Sequence, residues 1–250
     1  MEKVFALSIP YLYVIHLVVI SVRVGATLLL APIWGHPGIP HYMRILLVFS
    51  IAVGIAAVTP FNDRAYTNPG MVIPSEFLIG VLLTMAVRIA FAGLHMGGQL
   101  VSYHLGFSAI GAIDPQTMNR STIMATFFTM IGYVAILATN QHHTMFRALA
   151  NSYTVFPVGT SVTASQWFES LFELAKQIFV IGWKISLPVF AAAFLIEVTV
   201  GFVARMQPQI NTMVVTAPLK LLVGLVVLGA SLVFLPRMMS GVMETMVLRK

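Results

Sequence analysis

The sequence alternates long apolar blocks with short polar or proline-rich interruptions. Tyr11 to Ala31 is the first block, closed by Pro32, and the connector Trp34-Gly-His-Pro-Gly-Ile-Pro40 follows. Met43 to Thr59 is the second, entered through Arg44, and Pro60 to Gly70 is the most polar loop of the first half. A helix needs about 20 mostly apolar residues to cross a bilayer, and these blocks are of that length. Ser75 and Glu76 behind Pro74 predict a helix start, because a Ser cap and a first-turn acid suit the positive end of the helix dipole. This third helix is expected to run through Arg88 to about Gly111. Ser121 to Thr139 is a fourth block, ended by Asn140-Gln-His-His143; Thr144 to Tyr153 is a short amphipathic piece, and Val155 to Gln166, with Pro157 and Gly159, a linker. A fifth helix is expected from Ala164-Ser165 to about Met206, kinked at Pro188, with Glu169, Glu173 and Lys176 on one face of its wet first turns. Pro208 stops it, and Thr212 to Leu235, with Pro218 and Lys220, is the sixth block before the basic tail of Arg237, Arg249 and Lys250. No internal repeat is visible. The pattern predicts an all-α, multi-helix integral membrane protein with long kinked helices, in one domain over residues 1–250.

The middle of the chain, Gly93 to Arg120, differs from the blocks around it. Gly93 and Gly97, and again Gly98, Ser102 and Gly106, repeat at a four-residue spacing, so each set lies along one side of a helix and lets another backbone approach closely. After Gly106 small and bulky apolar residues mix, and Asp114-Pro115 imposes a break, since the residue before Pro is biased away from the α region. A glycine-loosened apolar loop held by tightly packed helices has the physical make-up of a gate. A hydrophobic constriction stops ions by dewetting, and Phe107, Ile110 and Ile113, flanked by Gly106 and Gly111, are suitable material.

Composition agrees with the membrane reading: 58% of the 250 residues are hydrophobic and 9% charged, against roughly 25% charged in soluble domains. The absence of cysteine removes disulfides, thiolate metal sites and cysteine nucleophiles. The 14 basic residues are scattered singly, which argues against nucleic acid as a partner. The N-terminal block is too long and, at Arg23, too interrupted for a signal peptide, and is expected to be a retained span. With the N-terminus inside, Lys3, Arg64, Arg147, Arg237, Arg249 and Lys250 fall on the inner side and Arg44, Arg120 and Arg205 on the outer. Arg23, Arg88, Lys184 and Lys220 lie deep in apolar segments, with Glu197 as the acid at comparable depth. A basic side chain at the bilayer centre costs about 2.5–3.5 kcal/mol on insertion scales. The expectation is therefore that something outside the chain offsets these charges, or that their stems snorkel to an interface.

Several motifs succeed one another along the chain. They are Arg23-Val-Gly-Ala-Thr-Leu-Leu-Leu-Ala-Pro32 with Gly35, Pro40 and Arg44; Gly97-Gly98-Gln99-Leu100; Asp114-Pro115; Asn140, His142 and His143; and Pro208-Gln-Ile-Asn211 followed by Pro218-Leu-Lys220-Leu-Leu-Val-Gly224. In that order they resemble the FliR/SctT family of bacterial type III export-gate proteins. The chain departs from the family pattern at Gln141, where the family has Gly, and at Gly106-Phe107-Ser108-Ala109, where the family reads Gly-x-Gly-Phe. The resemblance implies one subunit of a helical export-gate assembly with FliP and FliQ homologues, joined by FlhB and with FlhA nearby, at the flagellar basal body in the inner membrane. Unfolded export substrates would pass through it, and no cofactor is implied. Residues 1–160 would be the FliP-like part and 161–250 a FliQ-like helical hairpin, with much of the apolar helix mass raised above the bilayer. The resemblance makes Gly106, Phe107, Ile110, Gly111, Ile113, Asp114, Pro115 and Met118 the pore plug. It gives Arg23, Arg88, Asn211, Pro218 and Lys220 to contacts between subunits.

Two other classes fit parts of the sequence. An ion- or proton-coupled transporter would use Asp114, Glu197 and the histidines, since acids within the membrane are functional by default; the paired broken helices common in such transporters are missing. An enzyme is the weaker reading. Gly106-Phe-Ser-Ala-Ile-Gly111 misses the Gly-x-Ser-x-Gly elbow because Ile110 stands where glycine is required, and neither His-Glu-x-x-His nor a Gly-Lys-Ser/Thr phosphate loop occurs. His142 and His143 are adjacent and cannot share a helical face, which predicts a polar turn there, and His95 and His104 read as packed or solvated side chains.

Overall fold

The computed structural model describes residues 2–60, 69–107, 122–160, 164–207, 209 and 211–236. Among these residues there are seven helices and no strand: α1 (Glu2–Leu30), α2 (His41–Val58), α3 (Pro69–His104), α4 (Ile123–Ala138), α5 (Gln141–Val155), α6 (Ala164–Met206) and α7 (Thr212–Leu232). The all-α architecture expected from the block pattern is the one found. Five helices, α1, α2, α3, α6 and α7, are long and apolar enough to cross a membrane.

Three boundaries differ from the expected ones, each for a local reason. α3 starts at Pro69, not at Ser75, because the Ser75 hydroxyl donates to the Val72 carbonyl within the helix and caps nothing. The same helix ends at His104 instead of running to Gly111, because Gly106 takes a left-handed conformation with φ +83°. α5 begins at Gln141, so the expected polar turn is the first turn of a helix. Asn140, at φ +56°, carries the left-handed conformation alone, which Asn tolerates better than most residues. The buried side of α5 then follows helical spacing through Gln141, Met145, Ala148, Leu149, Ser152 and Tyr153. α6 is continuous over 43 residues with Pro188 inside it, as expected.

The chain forms two compact units. One contains α1, α2, α3 as far as Arg88, α5 and the start of α6; the other contains α3 from Ile89, α4, α6 from Ala175 and α7. The core of the first is built on Ile20, Val24, Leu28, Ile79 and Leu149. Here Gly80 lets α3 close on α1: a Cβ at that position would lie 2.6 Å from the Arg23 carbonyl oxygen and 2.7 Å from the Ala26 Cβ. The Thr84 hydroxyl, one turn on, donates to the Thr27 carbonyl at 2.7 Å. The connector between α1 and α2 is pinned by Arg44, whose guanidinium donates to the carbonyls of Ile39 and His36 at 2.9 and 2.7 Å.

The second unit is packed through the small residues of α3. A Cβ on Gly93 would meet the Ile181 Cβ at 2.6 Å, and one on Gly97 the Ile185 Cβ at 3.0 Å, so α6 lies against that stripe. A Cβ on Gly98 would sit 2.5 Å from the Ala125 Cα and 2.7 Å from the Met124 carbonyl oxygen, so the start of α4 lies against Gly98, whereas Gly106, the last of that set, has left the helix and meets nothing within 4 Å. α4 begins at Ile123 because the Thr122 side chain accepts from the Ala125 amide. The close helix approach expected from the four-residue spacing is thus realised by two different neighbours.

These contacts predict that Gly98→Ala lowers the thermal stability of the detergent-solubilised protein, because the atoms it meets are backbone and cannot rotate away; overpacking of this kind costs about 1–3 kcal/mol. Gly201→Ala, where no atom lies within 4 Å of the added Cβ, is expected to be neutral or slightly stabilising. Melting followed by size-exclusion chromatography compares the two.

Candidate functional site

Arg23 is the most buried cation described, and the chain itself answers it. Its side chain and that of Glu76 are both at 0% exposure. Arg23 Nε donates to Glu76 Oε2 at 2.6 Å and Nη2 donates to Oε1 at 3.0 Å, a bidentate pairing of guanidinium with carboxylate. Glu76 reaches Arg23 because it lies one turn before Gly80, where α3 comes into close contact with α1. The remaining valences are filled from α5 and the segment after it. Arg23 Nη1 donates to Ser152 Oγ at 3.1 Å, Nη2 donates to the Phe156 carbonyl at 3.0 Å, and the Gly159 amide donates to Glu76 Oε1 at 3.2 Å. The guanidinium carbon also lies 4.1 Å from the centroid of the Tyr153 ring, whose hydroxyl donates to the Ile20 carbonyl.

This overturns the expectation that Arg23 needs an acid from outside and faces another subunit. From sequence Glu76 reads as a helix-start acid, and that reading conceals the pairing. The sequence signal was present: Glu76 is one of 8 acids in the chain and stands in an apolar stretch. The residues that complete the network are far from Arg23 in sequence, so only folding brings them together.

Lys220 is also answered internally, since its Nζ donates to Glu197 Oε1. The expectation that an outside group offsets Lys220 is therefore corrected, and Glu197 has a counter-charge. Arg88 and Lys184 remain exposed, and neither has an acidic partner among the described residues. Pro218 is exposed inside α7, and Asn211, also exposed, precedes that helix and accepts the Val214 amide on its carbonyl. Of the expected plug, the structure places Gly106 and Phe107; Ile110, Gly111, Ile113, Asp114, Pro115 and Met118 lie outside the described residues. Gly106 closes α3 in a Schellman arrangement. The Phe107 amide donates to the Ser102 carbonyl at 2.9 Å and the Gly106 amide to the Tyr103 carbonyl at 3.2 Å. Gly106 therefore marks where the helix stops. No cluster among the described residues has the ligands for a metal ion.

A chain of long apolar helices, with two of its deep cations settled by its own acids and broad apolar faces left uncovered, defines an integral membrane protein. Its sequence matches the family model described as bacterial export proteins, family 1, over residues 14–246. The chain belongs to that family. Among characterised relatives it is 29% identical to the flagellar biosynthetic protein FliR of Caulobacter vibrioides over 215 residues, 84% of this chain and 85% of the relative. It is 27% identical to the protein of the same name from Bacillus subtilis, over 84% of this chain and 83% of that one. The protein of that name from Escherichia coli is 26% identical, over 83% of this chain and 80% of its own.

Removing one member of a buried ion pair strands the other and costs about 3–5 kcal/mol, whereas replacing both by apolar residues is often neutral. Arg23→Met and Glu76→Met are each expected to lower the yield of folded protein and its resistance to denaturing detergent. The double variant is expected to recover much of the loss. Equal loss in the double variant would show that the pair does not act as a unit.

Proposed function

We propose that this chain is a pore-forming and gating subunit of the flagellar protein export apparatus in the bacterial inner membrane, acting without chemistry of its own. The observation that carries the reading is the family match along nearly the whole chain, with relatives that share the name FliR. Two physical features support it. α3 and α6, at 36 and 43 residues, are about 54 and 65 Å long if straight, well beyond a hydrocarbon core of about 30 Å. The outward faces of α2, α6 and α7 carry large apolar side chains, among them Phe49, Trp183, Phe194 and Leu222. Helices of that length with uncovered apolar faces suit a subunit wrapped by other membrane chains, and FliP, FliQ, FlhB and FlhA homologues are the partners that the resemblance implies. α3 stops just before Gly106, the first residue of the proposed plug, and the left-handed glycine there suits a hinge.

The transporter reading loses ground at Glu197, because its carboxylate is bound by Lys220; Asp114 lies outside the described residues. Two measurements test the proposal. Deletion of the gene should abolish secretion of flagellar proteins and swimming, with both restored by the intact chain. Replacing residues 106–115 by a short flexible linker in the assembled apparatus should raise the inner-membrane ion leak several-fold. Secretion that survives deletion would refute the export role, and an unchanged leak would refute the plug.

A further inference from the structure

The second half of α3 has three sides, and the side no neighbour covers is the polar one. Gly93 and Gly97 face α6, while Gly98 and Leu94 face α4, where Gly98 meets Ala125 and Leu94 meets Gly132. At about 100° per residue, His95, Gln99 and Tyr103 fall within about 80° of one another, turned away from both neighbours. Gln99 and Tyr103 are exposed, Tyr103 at 70%, and His95 is half-buried. Gln99 Nε2 and His95 Nε2 are 3.2 Å apart, in hydrogen-bond contact. The other outward faces of this unit are the opposite in character. α4 presents Ile123, Phe127, Met130 and Val134, and α6 presents Phe179, Leu187 and Leu195.

An uncovered polar row beside uncovered apolar faces faces a different medium from theirs. Against hydrocarbon the Gln99 amide and the Tyr103 hydroxyl would lose their hydrogen bonds, whereas water or a polar chain satisfies them. The row contains donors and acceptors but no acid, and its chemistry is that of an amide, an imidazole and a phenol. Groups of this kind hydrogen-bond to the backbone amides of an extended polypeptide whatever its side chains are. The row ends one turn before Gly106, where the chain leaves the helix.

We infer that His95, Gln99 and Tyr103 form a wetted track along which an extended polypeptide in transit contacts this subunit. The inference rests on the export reading above and adds to it which face of which helix meets the cargo.

The chain contains no cysteine, so single cysteines can be introduced without background. Gln99→Cys and Tyr103→Cys, with Phe127→Cys and Leu195→Cys as apolar-face controls, would be labelled by a membrane-impermeant charged maleimide in the assembled apparatus with residues 106–115 replaced by the linker. The two track cysteines are expected to react at least ten-fold faster than the controls. Their labelling should fall several-fold when an export substrate fused to a folded blocking domain is stalled in the channel, and Tyr103→Cys should form a disulfide with a cysteine in that stalled segment. Reaction no faster than the controls, as for a row sealed by a partner helix or by lipid, would overturn the inference. So would fast reaction that a stalled substrate does not slow, since the row would then meet water and not the cargo. Neither result would touch the export role, which the deletion experiment decides separately.

Discussion

The Arg23–Glu76 pair is the constraint on which the first unit depends. An ion pair removed from water is tolerable only if its geometry is good and its remaining lone pairs and protons are satisfied. Here a bidentate contact, a serine hydroxyl, a backbone carbonyl, a backbone amide and an aromatic face supply those requirements. The pair joins α1 to α3 and ties both to α5 and the segment through Gly159. Hydrophobic packing alone specifies such an arrangement weakly, because apolar helices slide past one another at little cost. A dry carboxylate and guanidinium do not slide, since a shift of one turn would leave both unpaired. The glycine at position 80 makes the pair possible by letting the two backbones close, and the pair in turn holds them in register.

Within the chain, charge and surface are handled in opposite ways. Arg23 and Lys220 are neutralised by the chain's own acids, Glu76 and Glu197, whereas most of the apolar surface of α2, α6 and α7 is left uncovered. A soluble domain does the reverse, burying apolar faces and exposing charge. Arg88 and Lys184, exposed and without acids among the described residues, belong with the surface that the chain leaves for its surroundings.

Much of the fold was legible because it is written in local patterns. Block lengths, the proline at 208, and the amphipathic run before Val155 place helices without any tertiary knowledge. The small residues Gly93, Gly97 and Gly98 announced close packing and delivered it, although spacing alone could not say that α6 lies against Gly93 and Gly97 and α4 against Gly98. Glu76 was misread because a cap and a buried partner look alike in sequence: both put an acid shortly after a proline, and only the neighbour decides. The end of α3 was placed too late for a similar reason, since Gly106 served equally as one more small residue in a stripe or as a left-handed stop. The polar row on α3 was visible as scattered polar residues and gained meaning only when the positions of α4 and α6 showed which side stays uncovered.

This chain settles its buried charge internally, and we propose that it leaves its apolar faces to other membrane proteins. The most direct test is the native mass of the protein released from its own membrane in mild detergent. A defined hetero-oligomer several times the mass of the single chain is expected, with other integral membrane polypeptides in fixed ratio. A stable monomer carrying only detergent and lipid would contradict it.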